Sequence, residues 1–547
     1  MSAARPPARA ALAARVLAAL VLTGPAALAD PRPPLSASDW LSGTIEEPAN
    51  RSGWRPGDPV PRDAVDSRNP DLAESGSVQP VGVTRLGQGN PDGKGTVSPR
   101  TAGLPADLWG GSDTATLAEL VREQDPQLPA LRRLLRRVLA AQLDPPAVTA
   151  PGTEGALFLA RVDKLLDMGA TGAAQELLLA AGPGDHQRFR RLFDIALLSG
   201  DEARACQIMD ETPGIAPSFA ARIFCLALGG DWAAAALVYT GADMLGRIDD
   251  DTAQLMAHYL DDAYADSEQT VPEPATVTPL SFRLHEAIGQ PLGTGNLPLA
   301  FALSDLDESN GWKARLDAAE RLARVAAIPA SQLRQIYVLQ RPAASGGVWD
   351  RAAAIQRLVE ALATRDKPAV EAALPIAYQE MNRAGLGHAL ADMVGAESAT
   401  MELSGRAGVI AMWLALAAHQ THTIEVFPAD ATEFDRWLVS FASGSTRTRL
   451  PRQDPDGAAA ILAPAFQGDP QKGLHEIPAR LIAENRRGEA LLAALADVDA
   501  GLEGNLVRAA TGLRTLRALD QEDIARQAAV ELMLTPRILS LHASGGR

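Results

Sequence analysis

The chain has 547 residues, enough for three or four domains or for one elongated helical array. Its formal net charge is −16, with 51 Lys and Arg against 67 Asp and Glu. So acidic a surface lacks the clustered cations that release counterions from phosphate backbones, which argues against nucleic acid as a partner. Apolar residues make up 46% and aromatics only 4%; a core rich in Ala and Leu and poor in rings suits packed helices better than sheets, so the expected class is all-α.

Residues 1–29 read as a secretory signal. Arg5, Arg9 and Arg15 lead into an apolar run over residues 16–23, Gly24-Pro25 breaks it, and Ala27-Leu28-Ala29 supplies the small-x-small pattern for cleavage after Ala29. The run is far shorter than the ~20 residues that span a bilayer. No twin arginine precedes it and no cysteine follows it, so neither folded-state export nor a lipid anchor is indicated. Cleavage removes three Arg and no acid, leaving 48 − 67 = −19. The expected location is the periplasm, with no membrane insertion after cleavage.

Residues 30–113 are expected to form a disordered tether. From Asp30 to Gly110 there are 12 Pro and 11 Gly and no sustained period of 2 or 3.6, a composition that cannot bury enough surface to offset its ordering entropy. Short apolar islands interrupt it: Trp40-Leu41, the alternating Val78, Pro80-Val81 and Val83, and Leu104 to Trp109. Trp40, Leu41 and Trp109 are therefore candidate partner-binding residues, rings on a tether that enter a partner's groove. The other reading has them pack on the chain's own helical body.

Residues 114–265 are expected to be an N-terminal helical-repeat region. Leu128, Leu131, Leu134, Leu135, Val138, Leu139 and Leu143 fall at helical spacing, while Arg132, Arg133, Arg136 and Arg137 face away, toward solvent or an acidic partner. Breaks at Gly169, Gly200 and Gly230 follow at intervals of 31 and 30 residues, the length of two short helices and their turns. Each glycine can take the left-handed conformation that ends a helix, after which Asp201 and Asp231 cap the next one; runs of alanine beyond them permit close helix approach.

On these glycines and alanines, residues 114–262 resemble the tetratricopeptide-like and related α-superhelical proteins of bacterial envelopes. The resemblance implies an α-solenoid whose hairpins bury their apolar faces against their neighbours. The period is shorter than that family's 34 residues, and its Trp–Leu-Gly–Tyr pattern is absent. Within this stretch Cys206 and Cys225 are either one disulfide, closing a loop of about 20 residues worth on the order of 3 kcal/mol, or two buried thiols on separate helices.

Residues 266–312, with Pro272, Pro274, Pro279, Pro291 and Pro298, read as an irregular connector. Residues 313–547 form a C-terminal helical region, ending in an amphipathic piece over 521–534 that caps the stack. The loop from Arg341 to Gly347 is a connector or an anion site at a helix start.

No residue constellation names a reaction. Glu397-Ser398 with Ser404-Gly405-Arg406-Ala407-Gly408 resembles the glutamate-serine and glycine-rich pattern of soluble lytic transglycosylases, which implies Glu397 as general acid and base on a glycan. The interval is shorter here and the aromatic after the pair is missing. His419 and His422 lie three apart without a well-spaced third ligand, Asp305, Asp307 and Ser309 are followed by Asn310 where a calcium loop needs Gly, and Asp249 to Asp251 read as a capped turn. No cofactor or metal is expected. The functional expectation is a non-enzymatic periplasmic scaffold or adaptor that holds another envelope protein of the cell-wall machinery, an export assembly or the flagellar motor. The alternative is a peptidoglycan-active, lytic-transglycosylase-like enzyme or an inactive relative.

Overall fold

Every regular element among the described residues is a helix, as the composition implied; two isolated bridges, Val97 to Ala141 and Asp113 to Val148, are the extent of β pairing there. The computed structural model describes residues 40–41, 90–182, 184–261, 270–445, 449–454 and 457–544, all within a compact unit spanning 36–547. The expected signal peptide and most of the expected tether lie outside the described residues.

The helices are α1 (Thr114–Glu123), α2 (Pro129–Ala140), α3 (Ala156–Asp167), α4 (Thr171–Ala181), α5 (His186–Ser199), α6 (Glu202–Glu211), α7 (Phe219–Leu228), α8 (Trp232–Met244) and α9 (Asp250–Leu260). Then follow α10 (Pro279–Ala287), α11 (Trp312–Arg324), α12 (Ala330–Val338), α13 (Val348–Ala363), α14 (Lys367–Arg383), α15 (Gly387–Ala399) and α16 (Gly405–Ala417). The chain closes with α17 (Glu433–Ala442), α18 (Glu476–Ala483), α19 (Arg487–Asp499), α20 (Leu506–Ala518) and α21 (Glu522–Ser544). From α3 to α9 each helix packs on the next.

One turn joins many of these helices. A residue in the left-handed region ends the first helix, and the second begins two positions later: Gly169, Gly200, Gly230, Arg365, Gly385, Asn485 and Asp520 occupy that position. In each case the following N–H donates to the carbonyl five residues back, at 2.8–3.1 Å, so a carbonyl left over at the helix end is satisfied. The three glycines singled out from sequence all have positive φ, +68°, +77° and +86°. Asp231 caps α8 by accepting from Ala234 N–H at 3.0 Å, whereas Asp201 makes no side-chain cap.

The ordered chain begins well before Thr114. Asp92 is fully buried and accepts from the N–H groups of Gly155 and Phe158, capping α3. Arg161, also fully buried, donates to the carbonyls of Asp92, Leu139 and Ala141, and burial holds its pKa down at about 10. The prolines of this stretch start short helical turns at Pro91 and Pro99, where a missing N–H costs nothing. Residues 90–113 are thus not part of a tether: side-chain capping and a buried arginine secure a composition that periodicity alone reads as unstructured.

Trp40, Leu41 and Trp109 are 1%, 5% and 0% exposed, so this chain's own core covers them and they are not presented to a partner. Trp40 meets Phe301 edge-on at 5.4 Å between centroids. Trp109 lies over Gly488, where any Cβ would fall 2.4 Å from its ring. Phe301 also meets Phe282 of α10 at 5.5 Å, so the proline-rich stretch 270–312 contributes core despite its irregular backbone.

Helix α2 was expected to have one buried and one wet face. Its leucines are buried, but its arginines are engaged by the chain itself. Arg132 and Arg136 donate to the carbonyls of Arg324, Val325 and Ala326 at the end of α11, Arg133 donates to Gln527 of α21, and Arg137 donates to Gln521, just before that helix. Cationic donors at a helix C-terminus satisfy orphan carbonyls and oppose the negative end of the dipole.

The two sequence ends of the described unit meet. Gly111 N–H donates to Asn485 O, Gly488 N–H to Leu108 O, and the Asp499 carboxylate accepts from the N–H groups of Gln127 and Leu128. Gln521 Nε2 donates to Gly103 O at 2.8 Å.

Candidate functional site

Two grooves run between adjacent helices. The first, about 440 Å³, lies among α18, α19 and α20: Ala490, Ala493, Ala494, Thr511 and Thr515 line it, with Glu476 and Asp497 among its acidic residues. Small side chains at these positions leave the depression, and Ile477 stands 61% exposed beside it. The second, also about 440 Å³, lies between α13 and α14 on Ala361, Ala369, Ala372 and Ala373, with Ile376 exposed and Glu360 and Asp366 beside it. Both have an alanine-rich lining, one exposed isoleucine and two carboxylates, and each has an arginine of its own nearby: Arg508 pairs with Asp497 at 2.7 Å, and Arg357 lines the second groove. An apolar segment with basic residues along its edges fits that chemistry.

Cys206 of α6 and Cys225 of α7 are joined in a disulfide, Cα atoms 5.2 Å apart, both buried. Of the two arrangements the sequence allowed, the bridge is the one present, and it ties one hairpin to the next.

A polar cluster was not foreseen. The Glu531 side chain of α21 is fully buried; it accepts from Ala130 N–H at the start of α2, lies 3.1 Å from His419 Nε2 and stands 3.5 Å from Arg133. His388 and Asp392 of α15 lie within electrostatic reach. Burial lowers the pKa of His388, outweighing the opposing pull of Glu531 and Asp392. Asp392 reaches the surface, yet the crowding of neighbouring atoms raises its carboxyl above the ordinary range despite Arg133 and the two histidines. The signal for this junction was an acid placed among the apolar positions of the last helix, since a carboxylate there demands buried donors.

The other sequence candidates have local roles. Glu397 is half-exposed and paired with Arg334 at 3.4 Å on the surface. His419, at φ +58°, is committed to Glu531, and His422 sits in a short turn. Asp307 accepts from Ser309, and Asp305 from Thr294, as in a capped turn. Asp249 caps α9 through Thr252 N–H. In the 341–347 loop Gly346 N–H donates to Asp350, the chain's own anion. Among the described residues no group of three or more His, Cys, Asp or Glu is placed to hold a metal ion, and no helix is long and apolar enough to cross a membrane.

Comparison with family models, curated proteins and solved structures finds no match to this chain.

Proposed function

We propose that the protein is a non-enzymatic periplasmic scaffold of the helical-repeat kind, holding another cell-envelope protein by an apolar segment with basic edges. The α18–α20 groove carries this reading: an open, alanine-lined channel with an exposed isoleucine and acidic residues receives a helix or extended strand and attracts its cations. The disulfide supports an exported location, because such bonds persist in oxidising compartments. The partner belongs to the cell-wall machinery, an export assembly or the flagellar motor.

A photo-crosslinking residue placed at Ile477 in living cells tests the proposal. One reproducible envelope protein is expected, and Ala493→Trp, which fills an exposed groove position, abolishes its capture. A probe that yields no reproducible neighbour, or the same neighbour in Ala493→Trp, overturns the reading. Purified protein incubated with peptidoglycan sacculi releases no anhydro-sugars if the scaffold reading holds; product lost in Glu397→Gln establishes the enzyme alternative instead.

A further inference from the structure

The outward face of α8 has a composition at odds with its exposure. From Trp232 to Ala242 the helix carries no charge. Ala235 and Ala242 are buried, and Val238 and Tyr239 pack inward. The opposite stripe, Ala233, Leu237, Thr240 and Met244, stands in solvent, with Leu237 75% and Met244 82% exposed. Leu245, 75% exposed, and Trp232, 48% exposed, flank it. An ordinary solvated helix carries charges on this face. Instead the intervals of four, three and four residues are those of a seam that meets a second helix.

The sequence of the seam selects its occupant. We propose that α8 pairs antiparallel with α8 of a second copy of this chain. In that register Met244 lies over Ala233 of the second copy and Leu237 over Thr240, so each layer joins a large side chain to a small one. Gly241 and Ala236, beside the seam, let the backbones approach; no atom lies within 4 Å of where a Gly241 Cβ would stand. Parallel pairing would stack Met244 on itself and leave Ala233 facing a void.

Charge points the same way. Asp231 stands at the start of α8 and Arg247 just beyond its end, both exposed. An antiparallel pair brings each Arg247 beside the other copy's Asp231, twice over by symmetry, and opposes the two helix dipoles. Net repulsion between two acidic chains is screened at physiological ionic strength, where the Debye length is about 8 Å.

Sedimentation velocity of the full chain at physiological salt, across micromolar concentrations, is expected to show a reversible monomer–dimer equilibrium. Leu237→Asp, at an exposed position, is expected to raise the dissociation constant about tenfold or more while helical content stays unchanged. For orientation, Ala233→Cys and Met244→Cys chains are mixed; the native cysteines are bonded to each other, so only the introduced thiols react. A crosslinked heterodimer in excess over either homodimer is expected. A chain that stays monomeric, a dimer indifferent to Leu237→Asp, or preferential crosslinking of Met244→Cys to itself overturns the proposal. None of these readouts depends on the α18–α20 groove.

Discussion

Glu531 shows how much one buried carboxylate can organise. With no solvent exposure it holds the Ala130 N–H at the start of α2, the ring of His419 and the guanidinium of Arg133. Truncation to Ala leaves the Ala130 N–H without its acceptor in a buried place, while the part-exposed Arg133 keeps Gln527, so Glu531→Ala is expected to cost about 1–3 kcal/mol in urea unfolding. A loss below about 1 kcal/mol would show that the cluster contributes little. His388 beside it sets a pH dependence. Its folded-state pKa is lowered by burial, so the unfolded chain takes up a proton first as pH falls below the ordinary histidine value of about 6.5. Stability is therefore full above that pH and declines on acidification. His285, buried in α10 and also lowered by burial, adds to the same decline. Melting temperatures at pH 7.5 and 5.5 are expected to fall toward acid, with a smaller fall in His388→Gln.

Among the elements, the recurring turn separates what was readable from what was not. Gly169, Gly200 and Gly230 announce themselves because glycine takes positive φ without strain. Asn485 and Asp520 form the same turn with the side chains that tolerate positive φ best, a weak signal, whereas Arg365 has no local signal and packing of the two helices holds it there. Arg365→Gly is accordingly expected to stabilise the fold by about 1 kcal/mol, read as a higher denaturant midpoint. Gly169 does more than turn the chain. A Cβ there would stand 2.8 Å from Leu299 and 2.9 Å from Ala327, whereas Gly200 faces open space. Gly169→Ala should therefore cost clearly more than Gly200→Ala, which carries only the conformational penalty of about 1–2 kcal/mol. Reduction of the Cys206–Cys225 bridge releases a loop of about 20 residues and is expected to cost on the order of 3 kcal/mol.

For the whole molecule, the helical class was legible in alanine, leucine and the scarcity of rings, but the joining of the two ends was not. It depends on Trp109 over Gly488 and on Asp499 reaching Gln127 and Leu128, contacts between residues hundreds of positions apart that no local period encodes. The arginine face of α2 was hidden for the same reason, since its acceptors are helix-end carbonyls nearly two hundred residues away and glutamines nearly four hundred away. Trp109→Ala is expected to cost about 3–5 kcal/mol and to lower one cooperative thermal transition; a second, unaffected transition would mean that the halves unfold independently. The position of Glu531 has a consequence for biogenesis. The helix at Pro129 is among the first to be synthesised, yet its Ala130 N–H waits for a carboxylate made four hundred residues later. Until that carboxylate emerges, the helix has an uncapped first turn, a penalty of about 1 kcal/mol that the nascent chain carries for nearly the whole of its synthesis.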